Sequence, residues 1–505
     1  MKPTKHKRSA SPSQRIKMHI LGSAGDVSGS LFYFEYSSPE GKVTRFLLEC
    51  GLHQEHEEIN RQKRLPKGVE AKDINFVIIS HAHIDHSGWL PALVKDGFKG
   101  SVYTHPATKD LLDFLLLDSG RLQENAADRV NRFIARRQKK AESNGKKKRR
   151  IPLSVPLYTA EDVPLCFPLF KQINYNQLYT LADGVTMRFT EASHILGAAV
   201  VTITIGKGED QRTVCFTGNV GRPNTPLLKE LTPVKQADYV ISESTYGNKL
   251  HKKRDRLEVL ADLINKAYAR AMQKDRNTGC GVIVIPAFAV GRVQTVLHDL
   301  RTLMLAKRIP DIATFLDSRM AIAATEVHRK WASLMNDETR AIFESGQDAF
   351  SPPRYLECTT AAQTNRLYEN ASEPVIIVGS SGMAAGGKIL RHLEKRLPQK
   401  NSTVVFVGYQ GTGALGYDLV NKKPSQVTVH GKVLPVRATI EYMSDYSGHA
   451  DYEEIIAWLS KFESKPRKTF LVHGDGGALE EFKGHIEKAL GWSVVVPQRR
   501  QCFEL

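Results

Sequence analysis

The segment Ser80-His81-Ala82-His83-Ile84-Asp85-His86-Ser87-Gly88 follows directly on the apolar run Phe76-Val77-Ile78-Ile79. Three histidines and an aspartate crowded between positions 81 and 86, on a strand-to-helix turn, have no packing rationale. Imidazole and carboxylate are the ligands that borderline divalent metals prefer, and a turn lets near neighbours converge on one point. The spacing lets His81 and His83 serve one ion while Asp85 and His86 serve a second.

Around this turn the chain reads as more than one domain, since 505 residues exceed what one hydrophobic core usually organises. From about 16 to 248, short β-rich runs (46–48, 76–79, 200–205, 214–216, 239–241) alternate with turns. From 249 to 428 the rhythm changes to strand–helix alternation, with helices at 257–272 and 291–304 and strands at 282–286, 314–316, 375–378 and 403–407. Such alternation predicts βαβ units around a parallel sheet. From 429 to 505 short strands return (437–442, 469–472, 493–496), so a domain inserted into another is expected, the last segment completing the first.

The charge of +17 is concentrated. Residues 1–15 read as a disordered basic tail, and 1–17 hold six Lys/Arg and no acid. Residues 129–150 hold eleven Lys/Arg against Glu142 alone, in a stretch expected to run from helix into a loop at 143–145. Two basic arms on a nearly neutral body suit a polyanionic partner, although solvated surface tails account for them equally well. No apolar run is long enough to span a bilayer, and no apolar region follows the basic N-terminus as a secretory signal requires. Six cysteines without CxxC spacing argue against a disulfide framework and point to a reducing, cytoplasmic setting.

The HxHxDH turn resembles the metallo-β-lactamase superfamily, and five further segments narrow the resemblance. Glu191-Ala-Ser-His194 resembles the third motif of that family, and Phe216-Thr-Gly-Asn219 its fourth. Glu243-Ser-Thr-Tyr246, Ser447-Gly-His449-Ala-Asp451 and Val472-His473-Gly-Asp475 resemble the three motifs of its β-CASP branch. Pro286-Ala-Phe-Ala-Val-Gly-Arg292 and Ser380-Ser381-Gly382-Met383 look like landmarks of the inserted domain. The similarity is strongest to the RNA-processing members, which carry a histidine where His473 stands.

The resemblance implies an αββα metallo-β-lactamase sandwich with an inserted Rossmann-like β-CASP domain. It implies that His81, His83 and His194 hold one divalent ion and Asp85, His86 and His473 another, most simply Zn²⁺, with Mn²⁺ as the alternative. His449 becomes the general acid, Glu243 orients it, and Glu49 supports the site without ligating. Arg292, Ser380, Ser381 and Gly382 are weaker candidates for contact with the backbone of single-stranded RNA. A homodimer is left open.

Two positions depart from the family pattern. Glu49 stands where aspartate is usual and calls only for adjustment. Asn219 stands where an aspartate bridges both ions, and its neutral amide leaves one negative charge missing between them. An engineered weakening, a natural enzyme using another metal, and a non-catalytic RNA-binding protein all explain it. A metallohydrolase of small molecules is the remaining rival, disfavoured by the inserted domain and the basic arms.

Overall fold

The computed structural model describes residues 14–54, 57–144 and 151–505. The expected basic tail lies outside these residues up to position 13. Its final residue is corrected: Arg15 already opens a strand, Arg15–Ile20, whose buried and half-exposed side chains alternate.

Two seven-stranded sheets form the body. The first runs Cys502–Glu504, Arg15–Ile20, Phe32–Ser37, Val43–Leu48, Phe76–Ile78, Ser101–Thr104, Phe170–Gln172. The second runs Val494–Val495, Lys468–Leu471, Tyr239–Ser242, Arg212–Phe216, Ala199–Ile205, Val185–Glu191, Leu178–Ala182. Phe76–Ile78 and Tyr239–Ser242 are buried at every position, as strands covered on both faces must be. Between the sheets Phe34, Phe46 and Phe76 stack in series, with ring centroids 4.9 and 4.8 Å apart, and Phe32 meets Phe216 across the gap at 5.4 Å. Met187, Phe189 and Ile203 close the same apolar layer. With helices outside both sheets, this is the αββα sandwich.

The chain leaves the sandwich after Tyr239–Ser242 and builds a six-stranded, wholly parallel sheet: Tyr355–Glu357, Ala313–Leu316, Val375–Gly379, Val282–Pro286, Thr403–Val407, Thr439–Met443. Parallel neighbours need crossovers, and the helices Arg292–Leu305, Arg319–Lys330 and Ile389–Arg396 are among the helices between these strands. The strand Thr439–Met443 pairs with Thr403–Val407 from Thr439 to Met443. The inserted sheet therefore closes at Met443, beyond the boundary read at 428. That boundary was drawn where short strands resume, but the first of these, Gln426–Val429 and Lys432–Pro435, are a hairpin outside both large sheets. After Met443 the chain completes both sandwich sheets.

The second basic arm, from 129, continues one long helix, Pro106–Ser143, of 38 residues. The loop expected at 143–145 begins at Asn144, and 145–150 lie outside the described residues. No described helix is long and apolar enough to cross a membrane.

Candidate metal centre and its cleft

Most of the candidate ligands sit just past the carboxyl end of a sandwich strand. Glu49 follows Val43–Leu48, and His81 to His86 follow Phe76–Ile78. His194 follows Val185–Glu191, Asn219 follows Arg212–Phe216, Glu243 follows Tyr239–Ser242, and His473 follows Lys468–Leu471. Loops at that edge of an open sheet are where ligands gather in α/β folds. The loops approach so closely that side chains are excluded between them. A Cβ on Gly51 would lie 1.6 Å from the Asp85 carbonyl oxygen, and one on Gly221 would lie 1.6 Å from that of Ser193. Glu49, Ser193 and His473 hold left-handed backbone (φ 66°, 57° and 53°), costing on the order of 1 kcal/mol each, as residues at functional loops often do.

The side chains converge as two triads. His81, His83 and His194 present ligand atoms within 4.8 Å of one another, and so do Asp85, His86 and His473. In the first, His81 Nε2 and His194 Nε2 each lie 3.2 Å from His83 Nδ1. In the second, Asp85 Oδ2 lies 3.3 Å from His86 Nε2 and 3.2 Å from His473 Nε2. The far ring nitrogens are held from behind. His194 Nδ1–H donates to the Gly448 carbonyl at 2.8 Å, His86 Nδ1–H donates to Glu49 at 3.0 Å, His81 Nδ1 meets Ser80 Oγ at 2.9 Å, and His473 Nδ1 meets Thr245 Oγ1 at 3.1 Å. Such contacts fix the tautomer and orient the free nitrogen. Burial pushes His81 and His194 well below the usual imidazole range and His83 down to about 4, so the first triad is neutral, as metal ligands must be.

Asn219 lies beside the first triad, its Nδ2 3.4 Å from His81 Nε2. Its Oδ1 is buried without a hydrogen-bond partner. Buried polar atoms left in that state are costly unless something meets them. Two sets of imidazole and carboxylate donors, the neutral imidazoles of the first triad and an orphaned amide oxygen beside it fit divalent cations.

Glu49 stays in its supporting place: fully buried, it accepts from Ser80 N–H at 2.8 Å through one oxygen and from His86 through the other. His449 Nδ1–H donates to Glu243 Oε2 at 2.9 Å, and Glu243 is buried completely. Burial alone would raise that carboxyl, but the His449 charge and hydrogen bond outweigh it and hold Glu243 below its ordinary value. His449 itself keeps about a fifth of its side chain exposed.

The triads open onto a cavity of about 770 Å³ whose walls come from both domains, among them Asp85, His194 and His449 on one side and Arg292, Met383 and Tyr409 on the other. Arg292 is enclosed there. Its Nε has no partner, its guanidinium stands 6.0 Å from the Tyr446 ring, and burial pushes it down to about 10. Ser380, Ser381 and Gly382 are placed differently from the reading: they do not line the cavity. Their groups are taken up by neighbouring protein groups, Ser380 Oγ against Ser318 Oγ, Ser381 Oγ accepting from Ala385 N–H, and the Gly382 carbonyl accepting from Gln410. Their neighbour Met383 faces the cleft instead.

Sequence reading missed the Gly448 carbonyl, Thr245, and His251, whose Nε2 meets the His449 carbonyl at 2.9 Å. It also missed Glu191, buried beneath the His194 loop, which accepts from Ser193 N–H at 2.9 Å and is pushed up to about 8 by burial. Thr245, Gly448 and Glu191 lie inside the motif segments Glu243-Ser-Thr-Tyr246, Ser447-Gly-His449 and Glu191-Ala-Ser-His194, whereas His251 lies in none.

Comparison with known proteins agrees with this geometry. Residues 41–229 match the metallo-beta-lactamase superfamily, 293–419 the Beta-Casp domain, and 433–497 the Zn-dependent metallo-hydrolase RNA specificity domain. Ribonuclease TTHA0252 of Thermus thermophilus is 29% identical over 90% of this chain and 92% of its own length. Transcription termination factor FttA of Methanosarcina mazei is 28% identical over 96% of this chain and 71% of its own. An RNase J-like protein of Methanocaldococcus jannaschii is 26% identical over 91% and 94%. A crystal structure of a protein of unknown function from Enterococcus faecalis superposes with a TM-score of 0.52 at 14% identity, covering 97% of this chain and 100% of that one, a likeness of fold.

Proposed function

This chain belongs to the β-CASP branch of the metallo-β-lactamase superfamily, and on that premise we propose that it hydrolyses RNA phosphodiester bonds with two divalent ions, most simply Zn²⁺. The observation that carries the reading is the pair of ligand triads opening on an interdomain cleft beside a glutamate-anchored histidine. When bound, the ions supply charge neutralisation at the phosphorus and a water of lowered pKa.

The chain's own residues do the rest. His81, His83 and His194 would hold one ion and Asp85, His86 and His473 the other, with Asn219 beside the first. Glu243 fixes His449 through Nδ1, which leaves Nε2 free to give a proton to the departing sugar oxygen. Arg292 is a buried cation that pairs with no carboxylate among the described residues, and an RNA phosphate in the cleft meets that need. The relatives' names and the RNA specificity match support RNA over a small molecule as substrate. Six free cysteines, five of them buried, suit work on cytoplasmic RNA in processing or decay.

Asn219 weakens the hold on at least one ion, because an amide oxygen brings no charge between the cations. The test is Asn219→Asp assayed on end-labelled single-stranded RNA with added Zn²⁺ or Mn²⁺. The substituted chain is expected to cleave faster than the unsubstituted one, and a chelator to stop both. If neither form cuts RNA under any metal while both still bind it, the binding-only reading replaces this one.

A further inference from the structure

The helix Pro106–Ser143 does two jobs along its length. At 1.5 Å per residue it is about 57 Å long. Its first turns are rooted in the body: Leu111, Leu112 and Leu116 are buried, Thr108 Oγ1 donates to the Gly197 carbonyl at 2.7 Å, and Asp110 accepts from Lys330 and Trp331, each at 2.7 Å. From Arg121 onward, Ala127 is the one buried residue among the described side chains. One side of this outer half meets the returning segment 151–157. Asn131 and Ser154 bond reciprocally at 2.7 and 2.9 Å, and Leu157 N–H donates to Gln123 at 3.1 Å.

The opposite side faces solvent and carries Arg129, Arg132, Arg136 and Lys140, all exposed. Steps of three and four residues place them in one stripe on a helix, spanning about 16 Å. Phe133 lies along the stripe, 58% exposed, with the Arg137 guanidinium 5.5 Å from its ring. No described carboxylate forms an ion pair with any of the four. Residues 121–150 together hold twelve Lys/Arg against three acids. A solvated arm has no need of a cationic row in register with an exposed aromatic ring, whereas a nucleic-acid strand uses both, phosphates on the cations and a base on the ring.

We propose that this stripe is a second RNA-binding surface, separate from the cleft, that captures the backbone of long RNA and raises its local concentration at the metal centre. The inference rests on the reading of the cleft as an RNA site. Its partner is the phosphate backbone, so it is insensitive to sequence and steeply dependent on salt.

The test uses the full chain, with cleavage suppressed by chelator for binding and restored by metal for activity. In the variant R129Q/R132Q/R136Q/K140Q, the slope of log affinity against log salt for a long single-stranded RNA should fall by about three, from roughly 0.7 to 0.9 per phosphate contact. That removes roughly fifty-fold of the affinity change between 50 and 200 mM salt. The variant R129K/R132K/R136K should keep the slope, and Phe133→Ala should weaken binding without altering it. Cleavage of an oligonucleotide short enough to sit in the cleft should be unchanged in all three.

An unaltered slope in the glutamine variant overturns the proposal, whatever the cleavage result. A stripe-dependent slope in a chain that cuts no RNA overturns the catalytic reading alone. The exposed row Ile151, Leu153 and Val155 on the returning segment supplies the competing outcome. If I151S/L153S/V155S changes the sedimenting mass while the glutamine variant leaves RNA binding intact, the arm is a protein contact and the proposal falls.

Discussion

His449 and Glu243 meet at 2.9 Å although 206 positions separate them in the chain, and the chemistry turns on that contact. If His449 protonates the leaving oxygen, His449→Ala should lower the cleavage rate by roughly 10²- to 10⁴-fold. RNA affinity and bound metal should stay near their original values, because the ring belongs to neither triad. An equal loss of affinity, measured by anisotropy, would make it a binding residue instead. At this scale the sequence was unevenly legible. His81, His83, Asp85 and His86 declare themselves by spacing, since one turn holds them all. His194, His449 and His473 are single imidazoles far apart in the chain, recognisable only through motif resemblance. The Gly448 carbonyl that orients His194 has no side-chain signature at all. Ser380 to Gly382 misled because a small-residue turn after a strand resembles a phosphate cradle, whereas here its hydroxyls are taken by Ser318 and the Ala385 N–H.

Among elements, the helix Arg292–Leu305 links the inserted sheet to the return toward His449. Asp299 on this helix is buried and bonds Arg256 through both oxygens at 2.7 and 3.1 Å, and Tyr446 Oη–H donates to it at 2.7 Å. Asp299→Asn should destabilise the chain by about 1.5–3 kcal/mol, since the part-buried Arg256 and the Tyr446 hydroxyl lose a charged partner, and denaturant unfolding would read this. Burial alone would raise the Asp299 carboxyl, but the His298 hydrogen bond and the Arg256 charge outweigh it and hold it below its ordinary value. A carboxyl depressed in the folded state adds stability above its unfolded pKa of about 3.9. That contribution fades as pH falls from there through the depressed value, and the Asn variant should lose this acid-side dependence. Longer runs such as Val282–Pro286 and Thr403–Val407 were legible as buried strands. Ser101–Thr104 and Phe170–Gln172 were not, because three or four residues show no period against their surroundings. The closing boundary slipped from Met443 to 428 because edge pairing, which assigns Thr439–Met443 to the inserted sheet, leaves no mark on the strand itself.

At the scale of the whole molecule, a sandwich supplies the ligand loops and an inserted parallel sheet walls the cleft over them. Sequence order made that architecture readable, since sandwich-type segments flank a βαβ rhythm. The relation of the outer half of Pro106–Ser143 to the body was not readable, because a long helix announces its length and leaves its contacts unspecified. Every functional statement depends on the two triads holding cations. The direct measurement is metal content per chain by elemental mass spectrometry after Zn²⁺ loading and desalting, on the Asn219→Asp chain and on the same chain carrying His473→Ala. The account predicts about two ions per chain in the first and a loss of about one in the second. Metal content near zero in the first, or unchanged by loss of His473, would contradict it.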